Sequence, residues 1–114
     1  MIVLVCGDRF WTDKEKIRER LGRLPAGSTV IHGAARGADS IAGAIAQEFG
    51  FKVRAFPADW AKHGKAAGPI RNLQMLDEKP ELVIAFHSNL ANSKGTKHTV
   101  TEAWSRGITV EIKT

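Results

Sequence analysis

Tyrosine is missing from this chain, and cysteine occurs once in 114 residues. A lone cysteine, Cys6, leaves no internal disulfide to staple a small secreted scaffold. Its place at the end of an apolar run marks it as a small buried hydrophobe in a reducing compartment. No apolar stretch approaches the roughly 20 residues of a bilayer span, and the first residues lack the basic-then-apolar layout of a secretion signal. A cytoplasmic protein without a membrane partner is expected. The four histidines, His32, His63, His87 and His98, have no metal-ligand spacing, so no metal is assigned, and no cofactor is expected. Acids are the minority charge, 12 against 17 Lys and Arg, for a formal +5. That excess favours anionic partners without separating nucleic acid, nucleotide and phosphate metabolite.

What is present is an alternation of strand and helix patterns within a length suited to one domain, 1–114. Ile2-Val3-Leu4-Val5-Cys6 and Leu82-Val83-Ile84-Ala85-Phe86 are continuous apolar runs, as strands covered on both faces should be. Thr29 to His32 is a third strand of this central kind. Lys52 to Phe56 and Ile108 to Ile112 alternate polar with apolar and belong at edges. Between them lie helical patterns. Thr12 with Glu15 has the form of a capping box, followed by Ile17, Leu21 and Leu24 on one face and a basic, solvated remainder that includes Arg18 and Arg20. Ile41, Ile45 and Phe49 repeat at helical spacing beside Ala42 and Ala46. Val100, Ala103 and Trp104 mark the last helix.

Such alternation implies right-handed crossovers and an α/β fold: one Rossmann-like, three-layer domain with a five-stranded parallel sheet in the order 3-2-1-4-5 and helices on both faces. In that order the chain winds one way from the first strand and the other way from the fourth, which opens a crevice between their carboxyl ends. Three loops meet there: Gly7 to Phe10, His32 to Asp39 and His87 to Thr96. The second is the most informative. Val30-Ile31-His32-Gly33-Ala34-Ala35-Arg36-Gly37-Ala38-Asp39 reads as strand, glycine turn, helix. Gly33 and Gly37 either admit a ligand to the backbone and the first helical N–H groups, or only make the connection tight. Asp39 is read as the helix N-cap, and Asp8 beside Arg9 as a ribose or loop contact.

The segment from Pro57 to Asn72 is long for a strand-to-helix connection and is expected to cover the crevice, with Trp60 as an apolar anchor. Gly68-Pro69 is a good helix start, with proline at the first helical position. Arg71 and Asn72 then fall in the first turn, where a cation opposes the helix dipole unless an anion lies nearby. Ser93-Lys94-Gly95-Thr96 has the composition of a phosphate cradle but not the Walker A spacing. His32 and His87 both end central strands, and capping of their loops is the expected role.

Taken together, Gly7-Asp8-Arg9, His32 to Asp39, Pro57-Ala58-Asp59-Trp60, Gly68 to Asn72 and Ser93 to Thr96 resemble the signature blocks of the YspA-like branch of the SLOG superfamily. The likeness runs in order across nearly the whole chain. It implies a Rossmann-like domain for nucleotides and nucleotide-derived ligands such as ADP-ribose, often phage-encoded and self-associating, with a role in sensing or in sequestering a signal. It also implies ligand contacts at Gly7, Asp8, Arg9, Gly33, Ala34, Arg36, Gly37, Asp39, Asp59, Trp60, Arg71, Asn72, Ser93, Lys94, Gly95 and Thr96. The related LOG phosphoribohydrolases carry Gly-Gly-x-Gly-Thr-x-x-Glu, whose glutamate acts with an arginine in cleaving base from ribose 5′-phosphate. Here Ser93 replaces the second glycine and Thr99 the glutamate, which leaves Glu102, with Arg71, as the substitute for a hydrolase. Binding therefore ranks ahead of hydrolysis, and hydrolysis ahead of single-stranded DNA binding of the DprA kind. For the last, base stacking would rest on Trp11 or Trp60, since the phenylalanines mostly fall in expected core positions.

Overall fold

Side chains on successive residues of a strand point to opposite faces, so a continuous apolar strand needs cover on both sides. Residues 1–114 are described by a computed structural model, in which strand β1 (Ile2–Gly7) meets that need at the centre of a sheet. Its neighbours are β2 (Thr29–His32) and β4 (Leu82–Phe86), with β3 (Lys52–Ala55) and β5 (Thr109–Lys113) at the edges. The order is β3-β2-β1-β4-β5 and every pairing is parallel, with Leu4 in register with both Ile31 and Val83. The expected fold and strand order are therefore those observed.

Val3 and Val5 face helices α1 (Lys14–Leu21) and α2 (Ala38–Glu48), packing with Ile17, Leu21, Ala42, Ile45 and Phe86. Leu4 and Cys6 face α4 (Ala67–Asp77) and α5 (Gly95–Ser105), packing with Met75, Leu76, Val100 and Ala103. Burying each large aliphatic side chain of these two layers contributes about 2 kcal/mol against unfolding. The face that α2 presents is mostly small, with Ala38, Ala42, Gly43 and Ala46 buried, so this helix sits close on the sheet. No helix is long and apolar enough to cross a membrane.

Several local expectations are corrected. Asp13 rather than Thr12 caps α1, its Oδ1 accepting from the Lys16 N–H at 3.1 Å. Both residues can cap, and the one whose side chain reaches the third helical N–H decides the start. Helix α4 already begins at Ala67, so Pro69 is its third residue and Arg71 and Asn72 fall in the second turn. The segment before it is a short helix α3 (Trp60–His63) followed by a 3₁₀ turn. Trp60 is 60% exposed and Trp104 56%, so neither is a core anchor. Arg20 does not lie on a solvated face. Its guanidinium forks onto Glu111 of β5 at 2.9 and 2.6 Å, with 14% of its side chain exposed.

That fork fastens α1 to an edge strand. The bond from Arg20 holds the Glu111 carboxyl below the usual carboxylate range. Its contribution is thus present above the unfolded value near pH 4 and is lost as pH falls through the lower folded value. Arg20→Ala is expected to cost about 1–2 kcal/mol in denaturant unfolding at pH 7, between the worth of an exposed pair and a buried one. The same substitution made on Glu111→Gln should cost markedly less, and equal costs in both backgrounds would show that the pair is not coupled.

Candidate ligand site at the carboxyl ends of the strands

Helix α1 leaves β1 on one face of the sheet and α5 leaves β4 on the other, so the chain parts at the carboxyl ends of these two strands. The loops after the three central strands begin with one device, a side chain that accepts the N–H two residues on. Asp8 Oδ1 takes it from Phe10 at 2.9 Å, His32 Nδ1 from Ala34 at 3.0 Å, and His87 Nδ1 from Asn89 at 2.9 Å. Asp8 and both histidines are therefore loop-forming, which for the histidines is the role expected of them. Burial lowers the pKa of His32 and so favours the neutral ring that can accept.

The loops then lock together. The Asp8 carbonyl accepts from Trp11 and from Ala38, each at 3.1 Å, tying the first loop to the start of α2. A Cβ on Gly37 would run into the backbone of Asp8 and Arg9, and its φ of +75° is one that other residues rarely adopt. A Cβ on Gly7 would collide with the Phe86 carbonyl. These two glycines allow the loops to approach, and the connection at Gly37 is tight. Ala34, next to them, is held at φ +58°, a strained value for a residue with a Cβ.

Asp39 departs from its expected role. Gly37 occupies the N-cap position, and Asp39 is in the first turn of α2 with its carboxylate directed back into the loop. There Oδ2 accepts from Gly33 N–H at 2.9 Å and from Ala35 N–H at 3.3 Å. The turn amides that a phosphate would use thus already hold an anion of the protein's own. Asp39 is 6% exposed, and burial pushes its pKa up to about 6 against the opposing pull of the two amides and of Arg71.

Arg71 reaches this turn from α4. Its Nη1 donates to the carbonyl of Gly33 and, at 3.4 Å, to that of Phe56, and Nε donates to Asn72 Oδ1 at 2.9 Å. A Cβ at Gly33 would collide with the guanidinium, so an alanine there would displace Arg71 from this position. Burial works against the Arg71 charge, with Asp39 favouring it. Asn72, 4% exposed, passes the chain of contacts onward: its Nδ2 lies 3.4 Å from the Gly95 carbonyl and 3.2 Å from His98 Nδ1. One polar network thus runs from α2 through α4 to α5. Cys6 lies under it, and burial raises its thiol pKa so that it carries no charge.

The remaining expected residues form the surroundings. Ser93 Oγ accepts from Thr96 N–H at 3.1 Å and caps the start of α5, while Lys94 and Arg36 are exposed. Asp59 caps α3 by accepting from Lys62 N–H at 3.1 Å, a structural role. Trp11 packs on Phe86 with ring centroids 5.6 Å apart and offers no free platform. Its neighbour Phe10 does, being 73% exposed with the Arg9 guanidinium 5.3 Å from its ring centre. Phe10 is the residue that sequence reasoning passed over, although its place beside Arg9 and outside any helical period was visible. Surface hollows of about 480 Å³ along the charged flank of α1 and about 330 Å³ beside Pro80 and Arg106, near the amino ends of the strands, lie away from this crevice. No group of three or more His, Cys, Asp or Glu side chains is placed to hold a metal.

A doubly wound parallel sheet whose polar network sits where the winding reverses defines a Rossmann-like domain with its site at the carboxyl ends of the strands. Residues 1–63 match the model of the YspA, cpYpsA-related SLOG family. The chain is also 40% identical to the Gene 61 protein of Mycobacterium phage D29 over 117 residues, covering 95% of this chain and 92% of that one. The chain belongs to the YspA, cpYpsA-related SLOG family. Strand β1 through α3 fall within the family match, and the loops that bear Gly7, Gly33, Gly37 and Asp39 are among them.

The strained turn can be probed by stability alone. Ala34→Gly relieves a left-handed alanine and is expected to stabilise by about 0.5–1 kcal/mol, whereas Gly33→Ala or Gly37→Ala should destabilise by more than that. Urea midpoints for the three variants check both signs. Asp39 supplies a pH test. Because its folded pKa is raised, the folded state holds the proton that the unfolded state has lost between about pH 6 and 4, so acidification through that window favours folding. His32, whose folded pKa is lowered, acts in the opposite sense below about pH 6.5. Relative to Asp39→Asn, the wild type is therefore expected to gain about 1 kcal/mol between pH 7 and pH 5. A constant difference across that range would show an ordinary carboxylate.

Proposed function

We propose that this protein binds a nucleotide or ADP-ribose-like ligand in the crevice between β1 and β4 and releases it intact, as a sensor or a sequestering protein. The observation that carries this reading is Arg71. A half-buried guanidinium is held by the Gly33 and Phe56 carbonyls at the carboxyl ends of β2 and β3 and by Asn72, on one side of the crevice, with Nη2 left free of any partner in the protein. Exposed Arg36, Lys94 and Arg9 on the neighbouring loops supply further positive charge for phosphate. Membership of a SLOG family supports the same class of ligand.

Hydrolysis ranks lower on geometry. Cleavage of a base from its ribose needs a carboxylate beside the reacting carbon. Thr99 donates its hydroxyl to the Gly95 carbonyl at 3.3 Å, and Glu102 lies two turns into α5, about 10 Å along the axis from Gly95. The carboxylate that does stand beside Arg71 is Asp39, and it is committed to the turn amides. One observation favours a second reading, single-stranded nucleic acid. Phe10 and Trp60 are both exposed aromatics on loops or helices at this end of the sheet, and the chain is basic.

The readings separate in one set of measurements. Nucleoside monophosphates and ADP-ribose should raise the melting temperature in proportion to ln(1 + [L]/Kd), with all ligand recovered after denaturation. Arg71→Ala should weaken binding by about 1.5–3 kcal/mol, the worth of a charge-assisted hydrogen bond, while Arg18→Ala, on the far flank, leaves it unchanged. Release of free base that disappears in Glu102→Ala would establish a hydrolase. Steeply salt-dependent binding of oligonucleotides, abolished in Phe10→Ala, would favour the nucleic-acid reading.

A further inference from the structure

Two polar ends on the β2 side of the crevice have no partner in the protein. Nη2 of Arg71 makes no hydrogen bond, while Nε and Nη1 are engaged. Oδ1 of Asp39 makes none either, while Oδ2 holds the amides of Gly33 and Ala35. Neither end is sealed inside, because no buried side-chain nitrogen or oxygen lacks a partner. Both therefore reach the surface, although Asp39 as a residue is only 6% exposed.

The two groups flank Gly33. A Cβ there would stand 2.8 Å from Cζ of Arg71 and 3.0 Å from Oδ2 of Asp39. Opposite charges so placed would ordinarily close into an ion pair. Here no guanidinium nitrogen comes within 4.0 Å of the carboxylate. The other bonds of each group hold them apart, Arg71 by the Gly33 and Phe56 carbonyls and Asn72, Asp39 by the two amides. Through that Cβ position, Cζ of Arg71 stands no more than about 5.8 Å from Oδ2 of Asp39, a separation that a single atom making two hydrogen bonds of about 2.8 Å can bridge.

The chemistry of the bridging atom follows from its neighbours. It must accept from the guanidinium and donate to the carboxylate. An ionised phosphate oxygen only accepts, and it would face a carboxylate of its own sign that already occupies the turn amides. A hydroxyl does both. The third titratable group at hand, the Cys6 thiol, is uncharged and alters neither preference. Resting on the reading that this crevice takes a nucleotide-derived ligand, we infer that the gap between Asp39 and Arg71 receives a sugar hydroxyl of that ligand and excludes its phosphate. Phosphate is left to the exposed cations of the surrounding loops, and the glycine turn after β2 is a sugar-reading element.

Carbon-detected NMR of the Asp39 carboxyl group tests this without any nucleotide. The probes are methyl β-D-ribofuranoside, its 2,3-dideoxy counterpart and inorganic phosphate. A hydroxyl donating to Oδ1 stabilises the ionised carboxylate and lowers its titration midpoint, whereas an anion seated on the same turn raises it. The ribofuranoside is expected to lower the midpoint by about 0.5 unit, with no downward shift from the dideoxy sugar or from phosphate. Arg71→Gln should abolish the ribofuranoside effect. An unmoved or raised midpoint with the ribofuranoside, an equal fall with the dideoxy sugar, or a full effect in Arg71→Gln would each overturn the assignment. Nucleotide binding itself is judged by thermal shift, so failure of that reading and failure of this one give different results.

Discussion

A carboxylate folded back onto its own turn is the interaction on which the crevice depends. Asp39 neutralises the amides of Gly33 and Ala35 from inside the protein, which lets the strand-to-helix turn after β2 hold its shape without a bound anion. The cost is a buried charge, met partly by those two donors and by the guanidinium of Arg71 nearby. Were Asp39 absent, the buried N–H of Gly33 and the partly buried N–H of Ala35 would lose their shared acceptor and Arg71 would lack its electrostatic counterpart. The strained Ala34 and the crowded Gly33 belong to the same arrangement, because the turn has to curl tightly for the carboxylate to reach both amides.

The sheet gives this turn a firm base. Val3 and Val5 on one side and Leu4 and Cys6 on the other are fully or nearly fully buried, so the end of β1 is clamped between two helical layers. The loops that leave β1, β2 and β4 are pinned from their start, since Asp8, His32 and His87 each accept the N–H two positions ahead. Mobility in the crevice is therefore left to side chains that project beyond these turns: Arg9, Phe10, Arg36, Trp60 and Lys94, all of them exposed. A rigid polar floor under a rim of long side chains suits a ligand whose identity is read at one end and whose charge is gathered at the other.

Strand character and order were legible in the sequence because burial on two faces, or on one, leaves opposite signatures in runs such as Leu82 to Phe86 and Lys52 to Phe56. The blocks that line the crevice were legible for a related reason, since glycines and polar residues gathered at the ends of central strands. Roles within those blocks were less so. Asp39 reads as a cap because its position beside the helix start is right, and only the three-dimensional turn shows that its carboxylate reaches the amides behind it. Arg20 and Glu111 are 91 positions apart, and nothing local distinguishes Arg20 from the solvated arginines beside it. Trp60 illustrates the converse: large apolar side chains tend to be buried, and one left on a four-residue helix at the rim escapes that tendency.

Arg71 also does something for the sheet that its place in the crevice conceals. By bonding to the carbonyls of both Gly33 and Phe56, it ties the ends of β2 and β3 to a helix on the opposite face. Strand β3 is four residues long and partly exposed throughout, so it is the element with least cover of its own. A ligand that orders Arg71 therefore tightens an edge strand it never touches. By the reciprocity of linked equilibria, whatever steadies or frays that edge alters the hold on the ligand by the same free energy. For a ligand bound as proposed, occupancy of the crevice and integrity of the sheet's margin are two readings of one balance.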